Sequence, residues 1–459
     1  QRRRPSLRPD EWVALALVGW GVVAAAAGAA PLAAKEVLAG WLVAWWLWTT
    51  ARRATPRAGA MAATILAAAA LLVAAGVATE ALALGRLRVG GLLESPNVAA
   101  ALLVSTLPLV WMLRPDRRRG LATAVGALLV VATALTGSRA GLLALLAVGV
   151  AVLPSGRARI AGLLTGAAAV AALVAWRFAS TPEALAWFRP AIWLAVLRLW
   201  AAQPLAGVGP GGLGDAAGAV RLLHADHVGR HPFLITYAES SPLGLLVQVG
   251  AVGFLLAVAA LAIWLRRGAR DGALSSSAAR SLVAAIAVMA AFHDFVTIEV
   301  VLWWWAVALG LIEASTRRGE AHPEPEGSGE PRLAAALRAL LLALIVLWSI
   351  VQPAWARWLW QAEPRSAVTA ARAHAAEPWL SEPLDWRLRS LLAEERWTWE
   401  RAAEALVLGR EAVRVHPGAS RLWLNLGQSW YRTATELGPW PDAVVGAREA
   451  FARATELEP

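Results

Sequence analysis

The sequence predicts an all-α fold, a polytopic membrane helical bundle of about eleven transmembrane helices followed by a water-exposed α-hairpin repeat domain at the C-terminal end. Three observations predict it. Of the 459 residues, 58% are hydrophobic and only 16% are charged. The apolar residues come in blocks about as long as a bilayer is thick, which takes about 20 residues of helix per crossing. The arginines gather in short connections between those blocks. Backbone polar groups in hydrocarbon must pair within their own segment, so helices are the expected solution.

Hydropathy sets the spans at Trp12 to Ala30, Ala34 to Thr49, Ala58 to Thr79, Asn97 to Leu113, Leu121 to Thr136 and Gly141 to Leu153, then Ile160 to Trp176, Leu243 to Leu265, Ser281 to Asp294, Ile298 to Ile312 and Leu333 to Ile350. Several are short, as a large bundle permits. Hydropathy alone defines these spans, so charge is an independent test. With a cytoplasmic N-terminus, the inner segments hold Arg2, Arg3, Arg4 and Arg8, then Arg52, Arg53 and Arg57, then Arg114, Arg117, Arg118 and Arg119. Later inner segments hold Arg157 and Arg159, then Arg266, Arg267, Arg270 and Arg280, then Arg317, Arg318 and Arg332. The outer connections are sparser, with Lys35, Arg86, Arg88 and Arg139, and four arginines spread from Ala179 to Thr236. This bias implies an odd number of spans and a C-terminal domain outside the cytoplasm.

A net charge of +11 would suggest nucleic acid for a soluble chain, but no basic stripe alternates with exposed aromatics and no nucleic-acid partner is expected. The absence of cysteine excludes disulfides and thiolate metal sites. The first apolar stretch shows no distinct small-residue cleavage site and reads as a retained helix rather than a signal peptide. Among 26 tryptophans, the group Trp41, Trp45, Trp46 and Trp48 and the run Trp303, Trp304 and Trp305 suit the headgroup interface, or alternatively a lipid-substrate groove.

Composition divides the chain into a membrane domain over 1–352, with a long outer loop at about 178–236 and an inner Pro, Gly and acidic linker at 321–332, and a helical domain over 363–459. In the latter, one helix ends at His416-Pro417-Gly418 and a second apolar-faced helix runs on to Tyr431; the stretch from Asp442 to Pro459 repeats that ending. The pattern resembles tetratricopeptide repeats, in which small residues let paired helices pack closely.

Polar groups at membrane depth or in outer loops are the candidates for chemistry, because burying them without partners is costly. Thr136-Gly137-Ser138-Arg139-Ala140-Gly141 is either a tight turn or an anion site built on Arg139. Arg189 and Trp193, four apart, share a helix face. Pro204 to Gly214 carries five glycines in its last eight residues, including Gly207, Gly209 and Gly211; it is a surface turn or an amide cradle for an anion, and lacks the nucleotide-loop lysine. His224, Asp226, His227, Arg230 and His231 make a metal site conceivable, but the intervening arginine favours a solvated loop and no metal is expected. Tyr237 and Glu239 precede the eighth span and Gln248 lies within it; a carboxylate at that mouth can serve as a general base. His293 and Asp294 are either mutually satisfied or line a cavity.

In this order the elements resemble the O-antigen ligase and polymerase family, over most of Ser95 to Ile312. Ser95-Pro96-Asn97 is similar to the family's small-Pro-Asn step, and Ser138 to Gly141 to its Ser-Arg-small-Gly signature. Arg189 with Trp193, then Pro204 to Gly211, resembles its arginine helix and periplasmic glycine segment, and His293-Asp294-Phe295 a later His-to-Asp-Phe element. The pattern departs at Tyr237-Ala238-Glu239, where the family usually carries a histidine in place of Glu239, and at Gln248, where it usually carries a glutamate.

The resemblance implies transfer of a glycan from undecaprenyl diphosphate to an acceptor hydroxyl on a lipid, glycan or protein at the periplasmic face. Arg139 and Arg189 would neutralise the diphosphate, and Glu239 or His231 would take the acceptor proton. No cofactor is needed, since the carrier already holds an activated sugar. The C-terminal repeats would dock an acceptor or an envelope assembly protein. The rival readings are a lipid-linked glycan transporter or flippase, and a catalytically altered scaffold.

Overall fold

The computed structural model describes residues 7–28, 31–85, 88–93, 95–112, 119–153, 188–217, 237–270, 276–316, 366–376, 381–415, 420–438 and 440–457, with a few short pieces outside these runs. His231 and its neighbours at 221–230, the expected span Leu333 to Ile350 and the 321–332 linker lie outside the described residues, and Ile160 to Trp176 is described only in fragments.

Every regular element among the described residues is helical. The first group is α1 (Pro9–Ala27), α2 (Pro31–Ala51), α3 (Pro56–Leu84), a 3-10 turn (Gly91–Leu93), α4 (Pro96–Met112), α5 (Arg119–Leu135) and α6 (Arg139–Val152). Then come α7 (Phe188–Ala202), the short α8 (Leu213–Ala216), α9 (Ser241–Arg270), α10 (Ser277–Phe292) and α11 (Glu299–Thr316). The C-terminal group is α12 (Ala367–Ala376), α13 (Ser381–Leu392), α14 (Trp399–Val415), α15 (Ser420–Glu436) and α16 (Pro441–Leu457).

About eleven spans were expected; by length and composition three described helices, Pro9–Ala27, Pro56–Ala83 and Ser241–Arg270, are long and apolar enough to cross a membrane. Val37–Ala51, Pro96–Met112, Gly120–Leu135, Arg139–Val152 and Ser277–Phe292 are apolar but shorter. At about 1.5 Å per residue such helices fall short of a hydrocarbon core about 30 Å thick. The partly apolar helical structure is consistent with membrane association.

Helix starts follow from the local sequence. Pro9 occupies the first turn of α1, where its missing N–H is no loss, and Glu11 accepts from the Arg8 amide at 2.7 Å. Thr55, Ser138 and Ser276 cap α3, α6 and α10 by accepting from the amides of Ala58, Gly141 and Ala279. Helix α4 is central: Asn97 to Val110 is buried throughout, packed among α3, α5, α6, α10 and α11. Its hydroxyls stay satisfied there, Ser105 and Thr106 donating to Ala101 O and Leu102 O, while Trp304 Nε1 donates to Thr106 Oγ1.

At one end of the bundle the start of α1 meets the ends of α2, α9 and α11 in a buried ion network. Arg52 pairs with Asp10 (3.1 Å), Glu11 (3.4 Å) and Glu313 (3.4 Å), Arg53 with Glu11 (2.8 Å), and Arg267 with Asp10 (2.7 Å). Trp48 and Trp264 both donate to Glu313. The opposite end of α9 carries the candidate site.

In the C-terminal group α13 packs on α14, α14 on α15 and α15 on α16. Gly409 lies against Leu426, Gly427 against Phe451 and Gly446 against Trp430, so small residues set the helix spacing. Asp385 is buried here, held by Asn425 (2.8 Å), Arg389 (3.0 Å) and Arg421 (2.9 Å).

Candidate functional site at the mouth of helix α9

Two chain segments that are far apart in sequence are laced together where α9 begins and α10 ends. Asp294 accepts from the amides of Ala238 (3.2 Å) and Val296 (3.1 Å). Ser241 donates to His293 O (2.9 Å) and accepts from the Phe295 amide (3.0 Å). Trp41, ten residues inside α2, donates to Val296 O at 2.8 Å, so the α10–α11 link is sunk into the bundle rather than carried on its rim.

On this framework sit three facing groups. Helix α7 buries Ile192, Ala195, Val196 and Leu199 against Val208, Leu213, Ala238 and Val247. That packing delivers Arg189 to Glu239, with Nη2 and Oε2 3.0 Å apart. The same carboxylate oxygen lies 3.5 Å from His293 Nδ1. Tyr237 and Phe295 flank the imidazole, with ring centroids 6.1 and 4.8 Å away, and Phe295 leans edge-on against Trp305. Glu239 has φ of 54°, the only positive value at a non-glycine position among the described residues. A left-handed backbone is costly for a side chain with a Cβ, and such strain tends to persist where surrounding contacts enforce it.

Burial works to raise the Glu239 pKa, but contact with His293 and the charges of Arg189, His293 and Arg88 outweigh it and leave the carboxyl below its usual value. Asp294, beyond the last residue of α10, is buried and accepts from two amides.

The glycine segment forms a second unit beside the first. Helix α9 is broken at Gly250 (φ 65°, ψ −172°). Val208 and Gly209 donate their amides to Val247 O (2.8 Å) and Gln248 O (3.0 Å), Ala251 donates to Pro204 O (2.8 Å), and Trp20 Nε1 donates to Val249 O (2.8 Å). The break's backbone groups are thereby satisfied, as an apolar setting demands. Gly211 donates to Gln248 Oε1 (2.7 Å), Gly207 to Gln203 O and Gly212 to Gly209 O. The amides of Gly207, Val208, Gly209, Gly211 and Gly212 are thus taken up in closing the helix break. Glycine is required at Gly207 and Gly250, where the two backbones approach so closely that a Cβ would fall 2.4 Å from Val247 O and 2.1 Å from Leu205 O.

Arg189, Tyr237, Glu239, His293 and Asp294 thus come together, and Gln248, Gly207, Gly209 and Gly211 adjoin them through α9. Trp193 Nε1, Gln248 Nε2 and His293 Nδ1 are buried without a hydrogen-bond partner. Arg139 opens α6 beside α4, where its neighbour Ser138 donates to Asn97 Oδ1 at 2.7 Å. Sequence reasoning missed Arg88 and Ser241. The signal for Ser241 was the Ser-Ser-Pro start of α9; nothing local marked Arg88. Among the described residues no group of three or more His, Asp and Glu side chains is arranged to hold a metal ion.

No family model matches the chain, and no curated protein matches it.

Proposed function

We propose that the chain is a multi-pass bacterial inner-membrane glycan transferase of the O-antigen ligase and polymerase type, moving a glycan from undecaprenyl diphosphate to an acceptor hydroxyl at the periplasmic face. The observation that carries this reading is the convergence of Arg189, Glu239 and His293, a guanidinium, a carboxylate and an imidazole meeting at the mouth of α9 from three separate parts of the chain. About eleven spans, a cytoplasmic N-terminus and a periplasmic C-terminal domain of tetratricopeptide type belong to the same proposal. It is in keeping with that topology that the Arg52 and Arg267 network and the Glu239 group lie at opposite ends of α9.

In this reaction the acceptor oxygen attacks the anomeric carbon of the first sugar while its proton passes to a base. The carbon–oxygen bond to the diphosphate breaks, and the carrier diphosphate leaves with the bonding electrons. Arg189 meets the growing negative charge, since guanidinium forks suit phosphate oxygens. His293 is the base favoured by the geometry, since its imidazole sits beside Arg189 and Glu239 with Nδ1 3.5 Å from the carboxylate oxygen.

The broken helix α9 favours the alternative, a lipid-linked glycan transporter. Against it, the break's polar groups are taken up by Trp20, Pro204, Val208 and Gly209 rather than turned to a substrate. Incubating the purified chain with a labelled polyprenyl-diphosphate glycan and candidate acceptors decides between them. Product that is lost in Arg189→Gln and His293→Gln supports transfer; tight binding with no product across all acceptors supports transport or scaffolding.

A further inference from the structure

Glu239 is placed to do more than orient an imidazole. One of its oxygens is shared between two cationic or potentially cationic groups, Arg189 at 3.0 Å and His293 Nδ1 at 3.5 Å. The side chains of Arg189 and Glu239 remain 34% and 23% accessible, whereas that of His293 is 9% accessible. Arg189 is thus the more exposed of the two partners of that oxygen, which is itself buried. The backbone around Glu239 is pinned on both flanks, by Ala238 to Asp294 and by Ser241 to His293 and Phe295. The carboxylate can swing only about its own side-chain bonds, between a guanidinium and an imidazole that lie within reach of the same oxygen.

We propose that Glu239 is an internal anion that holds the phosphate position at Arg189 while the site is empty, and that arrival of a diphosphate displaces it onto His293, so that binding of the leaving group switches on the base. This rests on the transferase reading above and names the regulation of that same site. Two negative groups cannot share Arg189 without repulsion, so the incoming diphosphate and the carboxylate exclude each other there. Once displaced, the carboxylate pairs with His293 alone and makes the imidazole a stronger base. The other groups facing Glu239 do not change this outcome: Arg88 from the α3–α4 connection attracts either anion, and Asp294 is already committed to two amides. The left-handed backbone at Glu239 is consistent with a residue held against its local preference for a functional position. Coupling the base to the diphosphate also keeps it weak while no activated sugar is present.

The test uses the full chain purified in detergent and farnesyl diphosphate as the probe, with binding measured by calorimetry. Glu239→Gln keeps the shape and removes the competing charge. If the carboxylate occupies Arg189 about nine-tenths of the time, the variant binds the probe about tenfold more tightly than wild type. In parallel, the His293 ring resonances, assigned by their loss in His293→Gln, shift further on addition of the probe in wild type than in Glu239→Gln, because only in wild type is the carboxylate moved onto the ring. Glu239→Asp, which shortens the reach to Arg189, gives intermediate binding and serves if Glu239→Gln does not fold. Unchanged or weaker binding in a folded Glu239 variant overturns the switch while leaving the transferase reading standing, provided Arg189→Gln still weakens binding. If Arg189→Gln binds the probe as wild type does, the diphosphate reading and the switch fall together.

Discussion

Gly244 packs directly on the carboxylate of Asp294: a Cβ at Gly244 would lie 2.2 Å from Asp294 Oδ2. The start of α9 and the α10–α11 link can therefore meet only with glycine at this position, and it is this contact that lets Asp294 reach the Ala238 amide. Gly244→Ala is expected to lower stability by about 1–3 kcal/mol, as overpacking of a tight contact does. Thermal unfolding of the detergent-solubilised variant measures it, and an unchanged midpoint would mean that the two segments are not in contact.

Asp294 holds two buried amides, so removing its acceptor strands both. Asp294→Ala is expected to cost about 3 kcal/mol, and Asp294→Asn, which keeps one carbonyl oxygen, distinctly less. Equal losses in the two variants would refute the assignment of both hydrogen bonds.

The ion pair of Glu239 carries a pH signature of known sign. Its folded pKa is lowered from the ordinary 4.5, so its contribution to stability is fully present above that pH and disappears as pH falls through the lower folded value. The midpoint difference between wild type and Glu239→Gln should close as pH falls below about 4.5. A gap that widens on acidification would show the sign to be reversed.

At the far end of α9, Arg52 is almost wholly buried among Asp10, Glu11 and Glu313. Arg52→Met leaves those carboxylates undercompensated and is expected to destabilise the bundle by about 3–5 kcal/mol. Adding Glu313→Gln should recover part of the loss, as expected where the cost comes from unpaired charge. A double variant no more stable than Arg52→Met would locate the cost in lost packing instead.

Gly250→Ala forces a side chain into a conformation open almost only to glycine and against Leu205 O. The expected result is separation of the glycine segment from α9, read as faster proteolysis within residues 203–212. Cleavage at the wild-type rate would contradict the docking of that segment.

The helical character of the described chain was legible from its residues alone, because apolar blocks with Pro, Ser and Thr at their edges specify where helices begin without reference to anything distant. Ser276 moved the start of α10 ahead of the hydropathy boundary at Ser281, since a cap lies outside the apolar run it begins. Arg189, Glu239, His293 and Asp294 were each legible as polar residues in apolar surroundings. That Arg189 meets Glu239, that Gly207 and Gly209 mend a broken helix, and that Arg88 adds its charge follow from the packing of the helices. The difference is one of range. A cap or an apolar face is set by neighbours a few residues away, whereas an ion pair across the bundle depends on how several helices pack at once.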